Sequence, residues 1–509
     1  MKNKVQLITY ANRFGGNTLA DLNDLLVGPL KGVFGGVHIL PFFLPIDRAD
    51  AGFDPVDHTV VDPKVGDWAD IKAIARHCDV MADVIVNHMS TDSPQFLDYS
   101  KRGDASAYRG MFIARDDVFP NGPTEAELAT IYRPRPGAPF TKIRFETGDE
   151  RVMWTTFTPQ QVDINVDDPQ SVAYHDTVLR QFHDSGVVAI RLDAVGYAIK
   201  KAGTSCFMLP ETFAFIDRFS WRARHFGLEV LVEVHCYYRQ QIEIAKQVDR
   251  VYDFALPPLV LHAFAFKTAR YLWEWMQIRP HNAVTVLDTH DGIGIHDVGP
   301  DVENREGRPG LIPAEDLDRL VELIHQRTHG ESRQATGAAA SNLDLYQVNS
   351  TFFDAMGCDN DQYLLARAIQ FFLPGIPQVY YVGLLAGSND MELLSHTGVG
   401  RDINRHYFTR DEILRELSRP VVRRILNLIR LRNEHPAFDG EFTCEKTSND
   451  ALLFKWTRDH DVAELVVDFA TGRGEVRHTT DPKMVTLRFG TDDGGTARVY
   501  DFPHREAQV

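Results

Sequence analysis

A chain of 509 residues is too long for one ordinary core, which points to one large domain with additions. Its 44% hydrophobic and 25% charged residues are those of a water-compatible globular protein. The net charge of −17 argues against a nucleic-acid backbone or an anionic membrane as partner, and any anionic substrate needs a local basic cluster to bind it.

The five cysteines, Cys78, Cys206, Cys236, Cys358 and Cys444, have no C-x-x-C spacing. They suggest neither a disulfide framework nor a zinc site, and fit a reducing cytoplasm. The apolar start at residues 5–11 is too short and too polar for a signal peptide, and no run of 18 apolar residues predicts a transmembrane helix.

Strand-like and helical runs then alternate along the chain. Residues 5–10 form the first apolar run, followed by Leu19, Leu22, Leu25 and Leu26 at helical spacing. The second and third runs are 36–42 and 80–88. Pro169 starts a helix with Val178, Leu179 and Phe182 on one face, and the fourth run, 187–195, carries Arg191 and Asp193. A helix at 210–226 precedes the fifth run, 229–235; a helix at 238–247 precedes the sixth, 250–256; a helix at 259–277 precedes the seventh, 283–291. The eighth run is 376–382, and a helix at 420–432 places Val422, Ile425, Leu426 and Ile429 together.

Eight strands alternating with helices predict an α/β fold, a (β/α)8 TIM barrel. Two connections, after strands three and seven, are too long for simple loops and read as insertions on the C-terminal face, where such barrels keep their sites. The expected division is a catalytic barrel at 1–88, 169–291 and 358–435, an insertion domain at 89–168, a second insertion at 292–357, and a C-terminal β domain at 436–509. In that last part 452–457, 462–469, 485–489 and 497–502 read as short strands between Gly/Asp/Thr clusters, with no recognisable chemistry.

The polar residues at strand ends converge on one rim. Asp50 follows strand two, His88 ends strand three, Arg191 and Asp193 strand four, Glu233 and His235 strand five, His290 and Asp291 strand seven. Singly, each has an ordinary explanation: a strand-end His is usually a satisfied core residue, a terminal Asp a helix cap, and an Arg–Asp pair a tie for the strand end. Together they suit either metal binding or glycosidic bond chemistry. The latter needs a carboxylate nucleophile and a protonated carboxylic acid, and Arg191, two residues before Asp193 and on the same side of its strand, would keep Asp193 ionised.

Asp83-Val84-Ile85-Val86-Asn87-His88, Ile190-Arg191-Leu192-Asp193, Val232-Glu233-Val234-His235 and Thr289-His290-Asp291 resemble, in order and placement, the four signature regions of the α-amylase family, glycoside hydrolase family 13. Gln161-Val162-Asp163-Ile164-Asn165 resembles that family's extra region. The segments GVHILPFFLPIDRADAGFDPVDH, YRPRPG, AGTSCFM, LDTHDGIG, THGES and NLDLYQVNSTFF look like its phosphorylase branch, over roughly residues 1–435.

The resemblance implies retaining transfer of a glucosyl group from sucrose to phosphate, with α-D-glucose 1-phosphate and fructose as products. It implies Asp193 as nucleophile, Glu233 as general acid/base and Asp291 as transition-state stabiliser. Asp50, His88, His290 and Arg401 would hold the glucosyl hydroxyls, with Phe53, Phe157 and Tyr197 as walls and Gln161 nearby. Asp344 and Gln347 are candidates for the fructosyl ring. Arg135, held between Pro134 and Pro136, is the candidate phosphate cation, and Tyr346 and His235 are candidate donors.

Many members of the family bind structural calcium near the asparagine corresponding to Asn87; this branch is not expected to, and neither metal nor cofactor is expected. The expected partners are these small molecules, without nucleic acid or membrane; a homodimer is allowed. The alternatives are a related phosphorylase acting on sucrose 6′-phosphate, glucosylglycerol or glucosylglycerate, a retaining α-glucosidase or transglucosidase, and a barrel that has lost catalysis. A sugar-phosphate donor would call for an extra cation near Asp344, where the chain has Leu343, Leu345 and Tyr346; a barrel without catalysis would lack one of the three carboxylates.

Overall fold

The structure is a computed structural model and describes residues 1–46, 51–133, 137–301, 307–337, 347–480 and 483–490. Among these, eight strands close into a parallel barrel: β1 (Gln6–Thr9), β2 (Gly36–Ile39), β3 (Asp79–Ile85), β4 (Val187–Asp193), β5 (Glu229–Val232), β6 (Arg250–Asp253), β7 (Ala283–Thr285) and β8 (Ile376–Tyr380). Each pairs with its neighbours in chain order, and β8 returns to β1. Every expected run contributes a strand, but each strand stops short of the end of its run. The barrel ladder ends there, and the polar residues that follow stand on the rim.

Local sequence explains the outer helices. Leu19–Val27 starts at Thr18, whose side chain accepts from the Asp21 N–H while Asp21 reaches back, and it buries Leu19, Leu22, Leu25 and Leu26. Each such leucine contributes about 1.5–3 kcal/mol on burial, which holds the helix to the barrel. Pro169–Asp184 begins with proline behind an Asp168 cap.

The expected helix at 259–277 is two helices, Leu256–Phe266 and Arg270–Met276. Lys267 takes a left-handed conformation (φ 54°) between them, and the Ala269 N–H donates to the carbonyl of Asn449, in the turn between Glu441–Lys446 and Ala451–Arg458. A tertiary contact therefore decides the break.

The barrel interior is strongly polar. Gln378 donates to Gln6 (3.1 Å), and Tyr252 donates to Gln378 (3.2 Å). Asp83 lies across the ladder from Arg191 and receives a hydrogen bond from His38 Nε2 (2.9 Å). Buried polar groups are mostly paired, and these pairs support the floor of the rim.

The first insertion carries a hairpin, Phe140–Arg144 with Glu150–Trp154, over a small core of Ile113, Phe119, Ile131, Trp154 and Cys206. Its Gln161–Asp163 strand pairs with His88–Ser90, just beyond β3. The second insertion contributes the helix Ala314–Arg327 and a short pairing of Ile293–Gly294 with Gln347–Val348.

The C-terminal part is, among the described residues, a five-stranded antiparallel sheet: Glu441–Lys446, Ala451–Arg458, Asp461–Asp468, Arg473–Thr480 and Lys483–Phe489. The first and fourth strands escape sequence reasoning because their faces are largely polar and exposed. The expected strand at 497–502 lies outside the described residues. No helix among the described residues is long and apolar enough to cross a membrane.

Candidate active site at the barrel rim

Arg191 is the hub of the rim. Its Nη1 donates to Asp83 Oδ1 (2.6 Å) and to Asp193 Oδ1 (2.7 Å), and its Nη2 lies 3.8 Å from Glu233 Oε1. The guanidinium side chain is 3% exposed, so these contacts act in a poorly screened interior.

One cation thus serves three carboxylates. Burial opposes the charge on Asp83, yet His38 and Arg191 pull its carboxyl down to about 2. Asp193 goes the other way: burial raises it well above the carboxylate range, Glu233 and Asp83 add to that, and Arg191 only partly offsets it. The expected pairing of Arg191 with Asp193 is present, but Arg191 is shared with Asp83 and Glu233. Asp193 and Glu233 are thus two carboxylates drawing on one guanidinium.

Backbone strain helps to place Glu233. Ala194 follows β4 in the left-handed region (φ 54°), at a cost of about 1–2 kcal/mol for a residue with a Cβ. The turn aims its N–H at Glu233 Oε2 (3.3 Å).

Asp291 stands opposite. Arg401 Nη1 makes a close ion pair with its Oδ1, and His290 Nε2 lies 3.5 Å from its Oδ2. Burial works against this charge, but the surrounding cationic groups, Arg401 and Arg405 among them, hold the carboxyl well below its usual range. Burial also pushes His290 down to about 3 despite the neighbouring Asp291, leaving a neutral imidazole. Its ring stacks on Phe53 (4.8 Å between centroids, 4° between planes).

His88 Nε2 and Gln161 Nε2 both donate to the Phe53 carbonyl, at 3.0 and 3.3 Å. The insertion sheet thereby anchors the loop that carries Phe53. Phe157 packs against His88 (5.3 Å) and Tyr197 (5.2 Å), which makes one aromatic side of the pocket. His235 stacks on Phe254 (3.8 Å), its Nε2 is 3.7 Å from Glu233 Oε1, and Gln347 Nε2 reaches it at 3.3 Å.

Asp193, Glu233, Asp291, Arg191, Phe53, His88, Phe157, Gln161, Tyr197, His235, His290, Gln347 and Arg401 are therefore linked through one continuous set of contacts. Asp50, Arg135, Asp344 and Tyr346 lie outside the described residues.

Glu233, His235 and Asp291 offer ligand atoms within 4.8 Å of one another, a spacing one metal ion could bridge. Asp291 is already paired with Arg401 and His235 Nδ1 with Asp297, so protein groups supply the partners and we assign no metal. Beside Asn87 the cation is Lys200: its buried ammonium contacts Asn87 Oδ1 (2.7 Å), Asp163 Oδ2 (2.7 Å) and the Tyr197 carbonyl. It ties the insertion to the rim.

Three supporting residues were missed by sequence reasoning: Asp83, Lys200 and Asp297. Asp83 had a signal, since it is the first residue of the quoted strand-three motif. Lys200 and Asp297 have none, because each acts from a loop whose position only the fold sets.

A parallel eight-stranded barrel with three carboxylates and paired cations at its C-terminal rim has the groups that glycosidic bond chemistry requires. Residues 32–220 match the α-amylase catalytic domain family. The chain is 56% identical to a sucrose phosphorylase of Agrobacterium vitis, over 94% of this chain and 97% of that one. It is 54% identical to a sucrose phosphorylase of Bifidobacterium adolescentis, over 95% and 96%. A solved structure, the sucrose 6F-phosphate phosphorylase from Thermoanaerobacter thermosaccharolyticum, superposes with a TM-score of 0.88 at 39% identity, covering 96% of this chain and 97% of that one. The chain belongs to the sucrose phosphorylase family, within the α-amylase family.

Proposed function

We propose that this chain transfers the glucosyl group of sucrose to inorganic phosphate with retained configuration, giving α-D-glucose 1-phosphate and fructose. The single observation that carries the chemistry is the pair of carboxylates, Asp193 and Glu233, set on one guanidinium at the barrel rim. A double displacement uses such a pair, one as nucleophile and one as proton donor.

In this reading Glu233 passes the proton to the glycosidic oxygen while the Asp193 carboxylate attacks the anomeric carbon. Fructose leaves and a β-glucosyl ester remains on Asp193. A phosphate oxygen then attacks the same carbon, its proton passes to Glu233, and Asp193 leaves as carboxylate. Asp291, kept ionised by its partners, faces the positive charge that develops on the ring. Arg401, His290, His88 and Asp50 hold the glucosyl hydroxyls, and Phe53, Phe157, Tyr197 and Gln161 shape the pocket.

Phosphate must enter a site rich in carboxylates, so its acceptor needs cations. Arg135 takes that role, with Tyr346 and His235 as donors, while Asp344 and Gln347 face the fructosyl ring. The same reading keeps the barrel at 1–88, 169–291 and 358–435, the insertions at 89–168 and 292–357, and the β domain at 436–509. It assigns the chain to the cytoplasm, without cofactor, nucleic acid or membrane, and allows a homodimer.

The test is sucrose incubated with and without inorganic phosphate. Fructose should appear in step with α-D-glucose 1-phosphate when phosphate is present. Free glucose at a rate indifferent to phosphate would mean hydrolysis and overturn the proposal.

A further inference from the structure

We infer that Asp297 is a positioning residue for the acceptor half-reaction: it fixes a proton on His235 Nδ1, so that Nε2, the nitrogen beside Glu233, becomes the one that titrates and meets the acceptor. This rests on the phosphate-transfer reading only for the identity of the acceptor.

Asp297 sits in the turn His296–Val298 of the second insertion and is fully buried. Its Oδ2 accepts from His235 Nδ1 (2.8 Å), and its Oδ1 accepts from Gln241 Nε2 (2.8 Å). A carboxylate can only accept, so the proton between the two belongs to the imidazole. The ring cannot turn away, because it is stacked on Phe254 at 3.8 Å and 13°.

The space for this pair is reserved by Gly294. A Cβ there would lie 2.2 Å from Asp297 Oδ2 and 3.3 Å from His235 Nδ1.

At Nε2 the partners are Gln347 Nε2 (3.3 Å) and Glu233 Oε1 (3.7 Å). The Gln347 carbonyl oxygen already accepts from the Gly292 N–H (3.3 Å), so its amide N–H can serve the neutral imidazole. The protonated ring instead faces Glu233. The charged and titratable groups around His235 are Asp297 and His296 from the turn, Glu233 beyond β5, and Asp291 beyond β7; burial lowers His296 and favours its neutral ring. Burial disfavours a charged ring, but Asp297, Glu233 and Asp291 outweigh it and raise the imidazole above its ordinary value.

The consequence falls on the second half-reaction. Once Glu233 has given up its proton, an anionic acceptor meets a bare carboxylate beside His235. A protonated Nε2 next to Glu233 supplies a donor and a positive charge at that moment. The same group also makes release of fructose less dependent on Asp297, because the first half-step needs only the Glu233 proton.

Asp297→Asn tests this, since asparagine can still accept from Nδ1–H but carries no charge. His235 titration, read by NMR of the full-length protein's imidazole signals, should move down by about 1–3 pH units. Above the new value, each unit means about tenfold less protonated imidazole. kcat/KM for phosphate should fall accordingly, with a much smaller change in the burst of fructose released from sucrose alone. Gly294→Ala, which pushes the carboxylate aside without removing it, should shift both readouts in the same direction. Folded variants with unchanged His235 titration and unchanged kcat/KM for phosphate would overturn the inference. If the parent protein makes no glucose 1-phosphate at all, the proposed function fails, while the His235 titration still decides the role of Asp297.

Discussion

Asp193→Ala is expected to remove glucosyl transfer almost completely, with kcat down by about 10⁴-fold or more. The carboxylate is where the fold aims its strongest local arrangement. It ends a strand buried on both sides, and the Arg191 it pairs with is itself held from below by Asp83. Removing Asp193 leaves Arg191 with Asp83 and Glu233, so the guanidinium keeps partners and the barrel floor stays paired. Loss of activity in a variant with parent-like thermal unfolding therefore reports on chemistry rather than on folding. Near-normal turnover would remove Asp193 from the role of nucleophile and leave the strand end as a structural pair.

Glu233→Gln should cost about 10²–10⁴-fold with sucrose, whose leaving group needs a proton, and far less with a glucosyl donor whose leaving group departs unaided. The pH profile supplies an independent check. A general acid must carry its proton when the glycosidic oxygen leaves, so the role given to Glu233 implies a pH dependence. The sucrose rate of the parent protein should fall as pH rises through the value at which that proton is lost. In Glu233→Gln that alkaline limb should vanish from the release of fructose, since the residue that gives its proton to the leaving group no longer titrates. Equal losses with both donors, or an unchanged alkaline limb, would take Glu233 out of the proton transfer.

The strands were legible because a barrel strand buried on both sides must be apolar, and the eight runs stand out for that reason. Their ends were less legible. Rim residues such as His235 and Asp291 look like strand continuations in sequence, while the ladder has stopped several residues earlier. Arg191 shows a different limit. Its spacing from Asp193 predicts their pairing, but nothing local reveals that Asp83 lies across the ladder and competes for the same guanidinium. Asp297 and Lys200 are the extreme case, since they reach the site from loops placed by tertiary structure. The break at Lys267 and the polar strands Glu441–Lys446 and Arg473–Thr480 have the same origin: a neighbouring backbone, rather than a hydrophobic pattern, sets them.

The proposed mechanism holds the glucosyl group covalently on Asp193 between the two half-reactions. The direct measurement is mass spectrometry of the peptide that carries Asp193, after Glu233→Gln has been incubated with an activated glucosyl donor in the absence of phosphate. The predicted result is one added glucosyl unit on Asp193, lost when phosphate or an external anion is supplied. A glucosyl unit on another residue, or turnover with no modified peptide and a product of inverted configuration, would contradict the account.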